Sequence, residues 1–254
     1  MTDNNYVTLI DHMGDDLSVV NAARVSFGKR IEYDDESEYD DVEYEGWCGQ
    51  IPILRDGDVK LIKYLAKHNH WSPFGHTSLQ FHIKAPVFVA RQLVKHQVGL
   101  VWNEISRRYV SDEPEFYSPE VWRASAENKK QGSSDEEIDI NPFISDVWVG
   151  VGSITLPSDR RKQMVDNYQQ VLKSAKWTYE HLLRLGVCPE QARMVLPQSM
   201  MTEWYWSGTL YAFASICNLR CKPEVQLETQ MIANQIDEQA KKMFPVSWEA
   251  LRNE

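Results

Sequence analysis

The chain reads as an α+β protein with a small sheet and a helix-rich C-terminal half. Two observations predict this class. Strand-period alternation sits early and is clearest over Ser78–Lys84, where Leu79, Phe81 and Ile83 alternate with Gln80 and His82. Beyond about residue 158 the pattern is almost wholly helical, broken at Gly186 and Pro223. No internal repeat is present, and strands segregated from helices favour α+β over an alternating order.

The elements follow in order. Residues 5–10 predict a strand, and Asp15 or Asp16 caps a helix reaching about Val25. Arg30–Gly49 is acidic with interspersed tyrosines and reads as a solvated loop, because like charges repel. Asp56-Gly57-Asp58 is expected to cap a helix over Val59–His68, with Leu61, Ile62 and Leu65 on one face. His68–His76 is turn-rich. Pro86 suits the first turn of a helix that pairs Arg91 with Lys95 and Gln92 with His96 at i,i+4. Arg108–Val110 and Phe116–Pro119 read as extended, and Ser125–Pro142 as a surface insertion. Helices are then expected from about Ser158 to Leu185, over Pro189–Leu196, over Glu203–Arg220 and over Glu224–Met243. The whole, 1–254, is read as one domain with surface insertions at 30–50 and 125–142.

Charge excludes one class of partner. The formal net charge is −10, yet nine of the 37 acidic residues fall in Glu32–Glu45, and the 27 cations nearly balance the rest. A nucleic-acid surface is therefore not expected, although a local anion site is. No apolar run approaches the ~20 residues that span a membrane. Met1–Asn5 lacks the basic-then-apolar pattern of a signal peptide. A cytoplasmic protein without a membrane partner is expected. Cys48, Cys188, Cys217 and Cys221 form no CxxC pair, so reduced thiols and no metal are expected.

The segment Arg91–Tyr109 concentrates chemistry. Arg91, Lys95, Arg107 and Arg108 accompany His96, Glu104, Gln92, Asn103 and Ser106, with Leu93, Val94, Val98, Leu100, Val101 and Trp102 between them. Such apolar spacing implies partial burial, and buried cations need an anion. A phosphate-rich ligand is the simplest, since arginine grips phosphate bidentately and lysine acts as a point charge. Arg193 and Arg220 also stand beside apolar residues, Arg220 at the end of an apolar helix. His68, His70, His76 and His82 have no neighbouring carboxylate and suit hydrogen bonding or stacking better than metal binding. Ser106 and Cys188 lack a nucleophile-elbow context. With no covalent catalyst in view, a cofactor is expected to carry the hard chemistry.

Four blocks resemble the flavin-dependent thymidylate synthases. They are Met13–Leu17 with Ala22–Phe27, His70–His76 through Lys84-Ala85-Pro86, the Arg91–Tyr109 segment, and Ala192–Pro197 with Asn218-Leu219-Arg220 and Gln226-Leu227-Glu228. The resemblance implies a central mixed β-sheet flanked by helices. It implies methylation of dUMP at C5, with methylenetetrahydrofolate as carbon donor, NADPH as reductant and FAD carrying hydride. Gln92, Lys95, Glu104, Ser106, Arg107, Arg108, Arg193 and Arg220 would hold dUMP. Arg220 would be catalytic, stabilising charge at the pyrimidine N3/O2 edge. Ser72, Lys95, His96, Gln97, Glu104 and Ser215 would contact FAD, and His70 would lie on the folate side. A homotetramer with sites shared between subunits is also implied.

The chain departs from this family on the flavin side. The usual Arg-His-Arg, then seven residues, then Ser, is here Lys95-His96-Gln97, then eight residues, then Ser106. Thr209, Tyr211 and Ser215 stand where the family often carries Asn or Arg, and Glu224 where a histidine is expected.

Overall fold

The computed structural model describes residues 6–32, 38–44, 47–126, 133–138, 146–148, 153–155 and 167–252. In chain order the elements begin with β1 (Tyr6–Met13), α1 (Asp16–Arg24), β2 (Tyr39–Tyr44), β3 (Trp47–Pro52), α2 (Asp56–Lys67) and β4 (Ser78–Pro86). Then come α3 (Val87–Leu93), β5 (Leu100–Glu104), β6 (Trp122–Ser125), β7 (Ser133–Ile138), β8 (Asp146–Trp148) and β9 (Ser153–Thr155). The C-terminal part holds α4 (Asn167–Arg184), α5 (Pro189–Ala192), β10 (Met201–Thr209), α6 (Leu210–Arg220), α7 (Leu227–Met243) and α8 (Pro245–Leu251). The α+β class holds. The chain divides into two compact units, one built on Ile105–Thr202 with Pro86–Phe88, the other on Asn5–Ala85, Val89–Glu104 and Glu203–Glu254.

The second unit contains a four-stranded sheet in the order β1-β4-β10-β5. β1 pairs antiparallel with β4, and β10 with β5. Across β4 and β10, Leu210 N–H meets Thr77 O and Gln80 Nε2 donates to Ser207 Oγ, so this pair also runs antiparallel where a mixed sheet was expected. One face of β4 carries Leu79, Phe81 and Ile83, all buried. Phe81 meets Phe213 of α6 edge-to-face at 5.0 Å, a geometry that adds about 0.5–1.5 kcal/mol beyond area burial. The outer edge strand β1 is covered by α7: Gln239 Nε2 donates to Val7 O and Gln235 Oε1 accepts from Val7 N–H. Covering an edge in this way removes a template for chain-to-chain pairing.

Capping sets where the early helices start. Asp15 accepts from Ser18 N–H while Ser18 Oγ accepts from Asp15 N–H, a reciprocal capping box on α1. Asp16 does different work: its carboxylate accepts from Val246 and Ser247 N–H and so caps α8. Burial pushes this carboxyl above the usual range, although those hydrogen bonds pull the other way. α2 starts earlier than expected. Asp56 and Asp58 lie inside its first turn, where they favour the positive helix end, and Arg55 is the cap residue.

Several expectations change. Glu203–Arg220 is not one helix: β10 runs to Thr209 and α6 begins at Leu210. Trp204 and Trp206 point into the core while Tyr205 points out, which is strand alternation. The acidic region holds the β2–β3 hairpin, with Tyr39 opposite Pro52 and Asp41 opposite Gln50. In the 125–142 stretch β7 pairs with β6. Ser106–Val110 is a turn, not an extended segment, because Ser106 O accepts from both Tyr109 and Val110 N–H. The expected start of the long helix at Ser158 lies outside the described residues.

The first unit is described by its own contacts. Tyr168 Oη of α4 donates to Tyr117 O at 2.6 Å, and Gln169 Nε2 to Ser118 Oγ at 2.6 Å. Tyr117 N–H donates to Ser199 O, and Met201 N–H to Glu115 O. Among the described residues no helix is long and apolar enough to cross a membrane.

Candidate active site

The end of α6 carries the cation of greatest interest. α6 is buried on nearly every side through Leu210, Ala212, Phe213, Ala214, Ile216 and Cys217, as a helix inside a core must be. Its N-terminus is capped by Thr209, whose Oγ1 accepts from Ala212 N–H at 3.2 Å. A capping role thus accounts for one residue that departs from the family pattern. Its C-terminal end is anchored by a polar network. Asp237 accepts from Trp248 Nε1 at 2.8 Å and from Arg252 Nε at 2.7 Å, while Arg252 also donates to Asn218 Oδ1 and Asn218 Nδ2 donates to Leu251 O. Asn218 is two residues from Arg220, so the network holds the last turn in place.

Arg220 Nε donates to His96 Nε2 at 3.1 Å. That contact requires a neutral imidazole, and burial followed by the Arg220 charge lowers the His96 pKa accordingly. The sequence reading placed these two residues on opposite halves of the site, one for nucleotide and one for flavin. The structure brings them into contact.

α3 ends at Leu93, so Lys95, His96 and Gln97 sit beyond it, and the expected i,i+4 face does not extend to them. Gln92, inside the helix, is held from two sides. Its Nε2 donates to Gln226 Oε1 at 2.5 Å, and its Oε1 accepts from Thr229 Oγ1 at 3.2 Å. Gln226 is the residue that sequence reasoning quoted without assigning work. Its signal was membership of the Gln226-Leu227-Glu228 block, but no spacing linked it to Gln92, 134 positions away.

The expectation of buried cations is overturned. Arg91, Lys95 and Arg108 are exposed, and Arg107 is half-buried. Two of the apolar residues between them are themselves exposed, Val98 by 92% and Val101 by 71%, while Leu93 is fully buried. The reason is strand alternation: Trp102 takes the face shared with Trp204 and Trp206, so Val101 points the other way. The opposite face is packed. Trp102 stacks on Trp204 at 4.4 Å and meets Trp206 at 5.4 Å, and its Nε1 donates to Glu104 Oε2 at 3.3 Å. This fixes the side of the strand from which Glu104 projects. Gly99 precedes the strand with φ of +75°, and a Cβ there would meet Thr209 Oγ1 at 3.2 Å and Ala212 Cβ at 3.3 Å.

In the first unit, Ser106 Oγ accepts from Arg108 Nε at 3.2 Å, and the Arg108 guanidinium lies 5.1 Å from the Tyr109 ring centroid. Arg107 donates to Asp112 O. Arg193 is exposed in a 3-10 turn, Arg193–Val195.

His70, Ser72 and Ser215 are brought together in pairs. His70 and Ser215 line one small cavity of about 50 Å³ with Trp71, Tyr211 and Asn218. His70 and Ser72 line a second of about 750 Å³. Ser215 Oγ donates to Tyr211 O at 2.9 Å, which leaves its lone pairs available as acceptors. Among the described residues, one group has metal-ligand character: Cys217, Cys221 and Asp237, with donor atoms within 4.8 Å of one another. Burial, then the neighbouring Cys221, pushes the Cys217 thiol up, and Asp237 is committed to Trp248 and Arg252. Asp237 thus belongs to the network that anchors α6 through Arg252 and Asn218.

The fold and these residues define a class, and the comparisons bear on it directly. The family described as thymidylate synthase complementing protein matches residues 8–246. A flavin-dependent thymidylate synthase of Thermus thermophilus is 35% identical over 248 residues, covering 98% of this chain and 76% of that protein. One from Kosmotoga olearia is 34% identical over 251 residues, covering 99% and 91%. Among solved structures, the UMP/dUMP methylase PolB of Streptomyces cacaoi with bound 5-Br UMP aligns with a TM-score of 0.68 and 28% identity, over 97% of this chain and 92% of that one. The chain belongs to the flavin-dependent thymidylate synthase family and is an enzyme of that class.

Proposed function

We propose that the protein makes dTMP by reductive methylation of dUMP at C5, with methylenetetrahydrofolate as carbon donor and NADPH as reductant. The observation that carries this reading is Arg220, fixed at the end of a buried helix with its Nε on a neutral His96. A cation held in place before substrate arrives stabilises negative charge at the pyrimidine N3/O2 edge without reorganising during the reaction. Gln92, Lys95, Glu104, Ser106, Arg107, Arg108 and Arg193 are assigned to the nucleotide. The two guanidiniums at Arg107 and Arg108 suit a phosphate, which they grip as forks.

The chemistry of the donor set fits FAD. Lys95 supplies a positive charge, Ser72 and Ser215 supply hydroxyls, and His96, Gln97 and Glu104 supply polar edges. The 50 Å³ cavity is too small for a flavin ring, so Ser215 would meet the cofactor from the cavity's rim. When bound, the flavin supplies the hydride chemistry that no side chain here provides. The exposed Val98, in the turn before β5, and Val101, on β5, support a homotetramer whose sites are shared between subunits.

Purified protein is expected to show a flavin absorbance spectrum that shifts on adding dUMP. With NADPH and methylenetetrahydrofolate it is expected to convert dUMP to dTMP. Protein that stays colourless and inactive with added FAD overturns the assignment. A second reading, methylation of UMP as well as dUMP, draws on the structural likeness to a UMP/dUMP methylase. Comparing kcat/KM for the two nucleotides separates them.

A further inference from the structure

The last turn of α6 brings two thiols together with a carboxylate from α7. Cys217 is fully buried, and Cys221, the C-cap residue of α6, is half-buried. They lie at i,i+4, so both stand on the same side of the helix. Asp237 joins them from α7, and one donor atom of each residue falls within 4.8 Å of the other two. CxxxC spacing does not by itself predict a metal; a third donor from another helix changes that.

The distances suit a small tetrahedral ion. Zinc holds thiolate sulfur at ~2.3 Å and carboxylate oxygen at ~2.1 Å, so two of its ligand atoms stand about 3.6–3.8 Å apart. Against the 4.8 Å bound, the donors need to close by about 1.2 Å at most, within reach of side-chain rotation. The carboxylate is already aimed. Trp248 Nε1 at 2.8 Å and Arg252 Nε at 2.7 Å both donate to Asp237 Oδ1, which leaves Oδ2 to coordinate. Arg252 is held in turn by Asn218 Oδ1. Charge balances as well. Two thiolates and a carboxylate carry three negative charges, which a divalent ion and the Arg252 guanidinium cancel.

We infer that Cys217, Cys221 and Asp237 bind a divalent, thiophilic cation of the zinc type, with water as fourth ligand on the open side at Cys221. The two sulfurs select against magnesium and calcium, which take oxygen ligands. Each thiol gives its proton to solvent and its sulfur lone pair to the ion, and no electron is transferred. The hydrogen bond from Cys217 to Ala233 O, at 3.6 Å, is exchanged for the metal bond. The bound ion ties the last turn of α6 to α7, and Arg220 lies inside that turn. It takes no step in the proposed reaction.

The test uses FAD-loaded enzyme, stripped of metal by a chelator under a non-thiol reductant and then titrated with zinc chloride. One zinc per chain is expected, and X-ray absorption at the zinc edge should show two sulfurs at ~2.3 Å. Zinc should raise the Tm of the parent and leave that of Cys221→Ser unmoved. Cys221→Ser is expected to weaken zinc at least about 100-fold, and Asp237→Asn, which keeps an acceptor for Trp248 and Arg252, at least about tenfold. Without metal, Cys221→Ser should melt like the parent, which separates loss of zinc from loss of fold. Cys48→Ser combined with Cys188→Ser should bind zinc like the parent. A parent that takes up no zinc, a zinc edge without sulfur, or binding that survives Cys221→Ser and disappears with Cys188→Ser overturns the site.

Discussion

Around the C-terminal end of α6 the polar side chains are committed to one another, whereas Val98, Val101 and Tyr109 face water. Arg220 holds His96, Gln92 holds Gln226, and Asp237 holds Trp248 and Arg252. By contrast Val98, Val101 and Tyr109 are 92%, 71% and 80% exposed. The first region has its ordering cost met by folding, so its geometry exists before substrate. The second has surface whose burial awaits something else, and a partner copy is the proposed cover.

This contrast can be broken most severely at Arg220. Arg220→Ala is expected to lower kcat by about 10²–10³-fold, the usual loss for one preplaced charge donor. Tm should move by less than about 4 °C, because the anchor of α6 lies in Asn218 and Arg252. Near-normal turnover would falsify the catalytic role. Gln226→Ala comes next. It leaves the half-buried Gln92 amide without its acceptor and is expected to cost about 1–2 kcal/mol in urea unfolding. It should also raise KM for dUMP, and an unchanged KM detaches Gln92 from the nucleotide.

The third test uses pH. The His96 pKa is lowered, by burial first and by Arg220 second, so the folded chain favours the neutral ring. Its stabilising contribution is complete above the ordinary histidine pKa and is lost as pH falls through the depressed value. His96→Gln should flatten the acid limb of a urea-midpoint profile. An identical limb in parent and variant removes His96 as its source. The smallest effect belongs to the open region. Val101→Ser should change the stability of the isolated chain by no more than about 0.5 kcal/mol while weakening self-association in sedimentation. A large stability loss with intact assembly reverses the comparison.

The α+β class, the capping of α1, strand β4 and the place of Arg220 at the end of an apolar helix were legible because each is a local signal. A period of two, an aspartate before a helix, and a cation closing an apolar helix all declare themselves within a few residues. β10 was not legible because Trp204-Tyr205-Trp206 is too short to tell a period of two from a helix, and Ser207-Gly208-Thr209 marks the boundary only once Thr209 is seen to cap α6. The β2–β3 hairpin was masked by its charge, and neither Tyr39–Tyr44 nor Trp47–Pro52 keeps a regular polar and apolar alternation. The contacts of Arg220 with His96 and Gln92 with Gln226 depend on packing over 124 and 134 positions, and pairing at that range has no sequence period. The exposure of Val101 follows from which face of the sheet is packed, and no single strand reveals that.

The tryptophan pair across β5 and β10 has one more consequence. Trp102 lies opposite Trp206 and Glu104 opposite Trp204, so the reading frame of β5 is locked by side chains too large to exchange places. A residue gained inside such a strand would throw Glu104 onto the other face. A residue gained ahead of Gly99 alters only the length of a turn. The turn that ends at Gly99 is therefore where the distance between His96 and the strand is set, independently of the aim of Glu104.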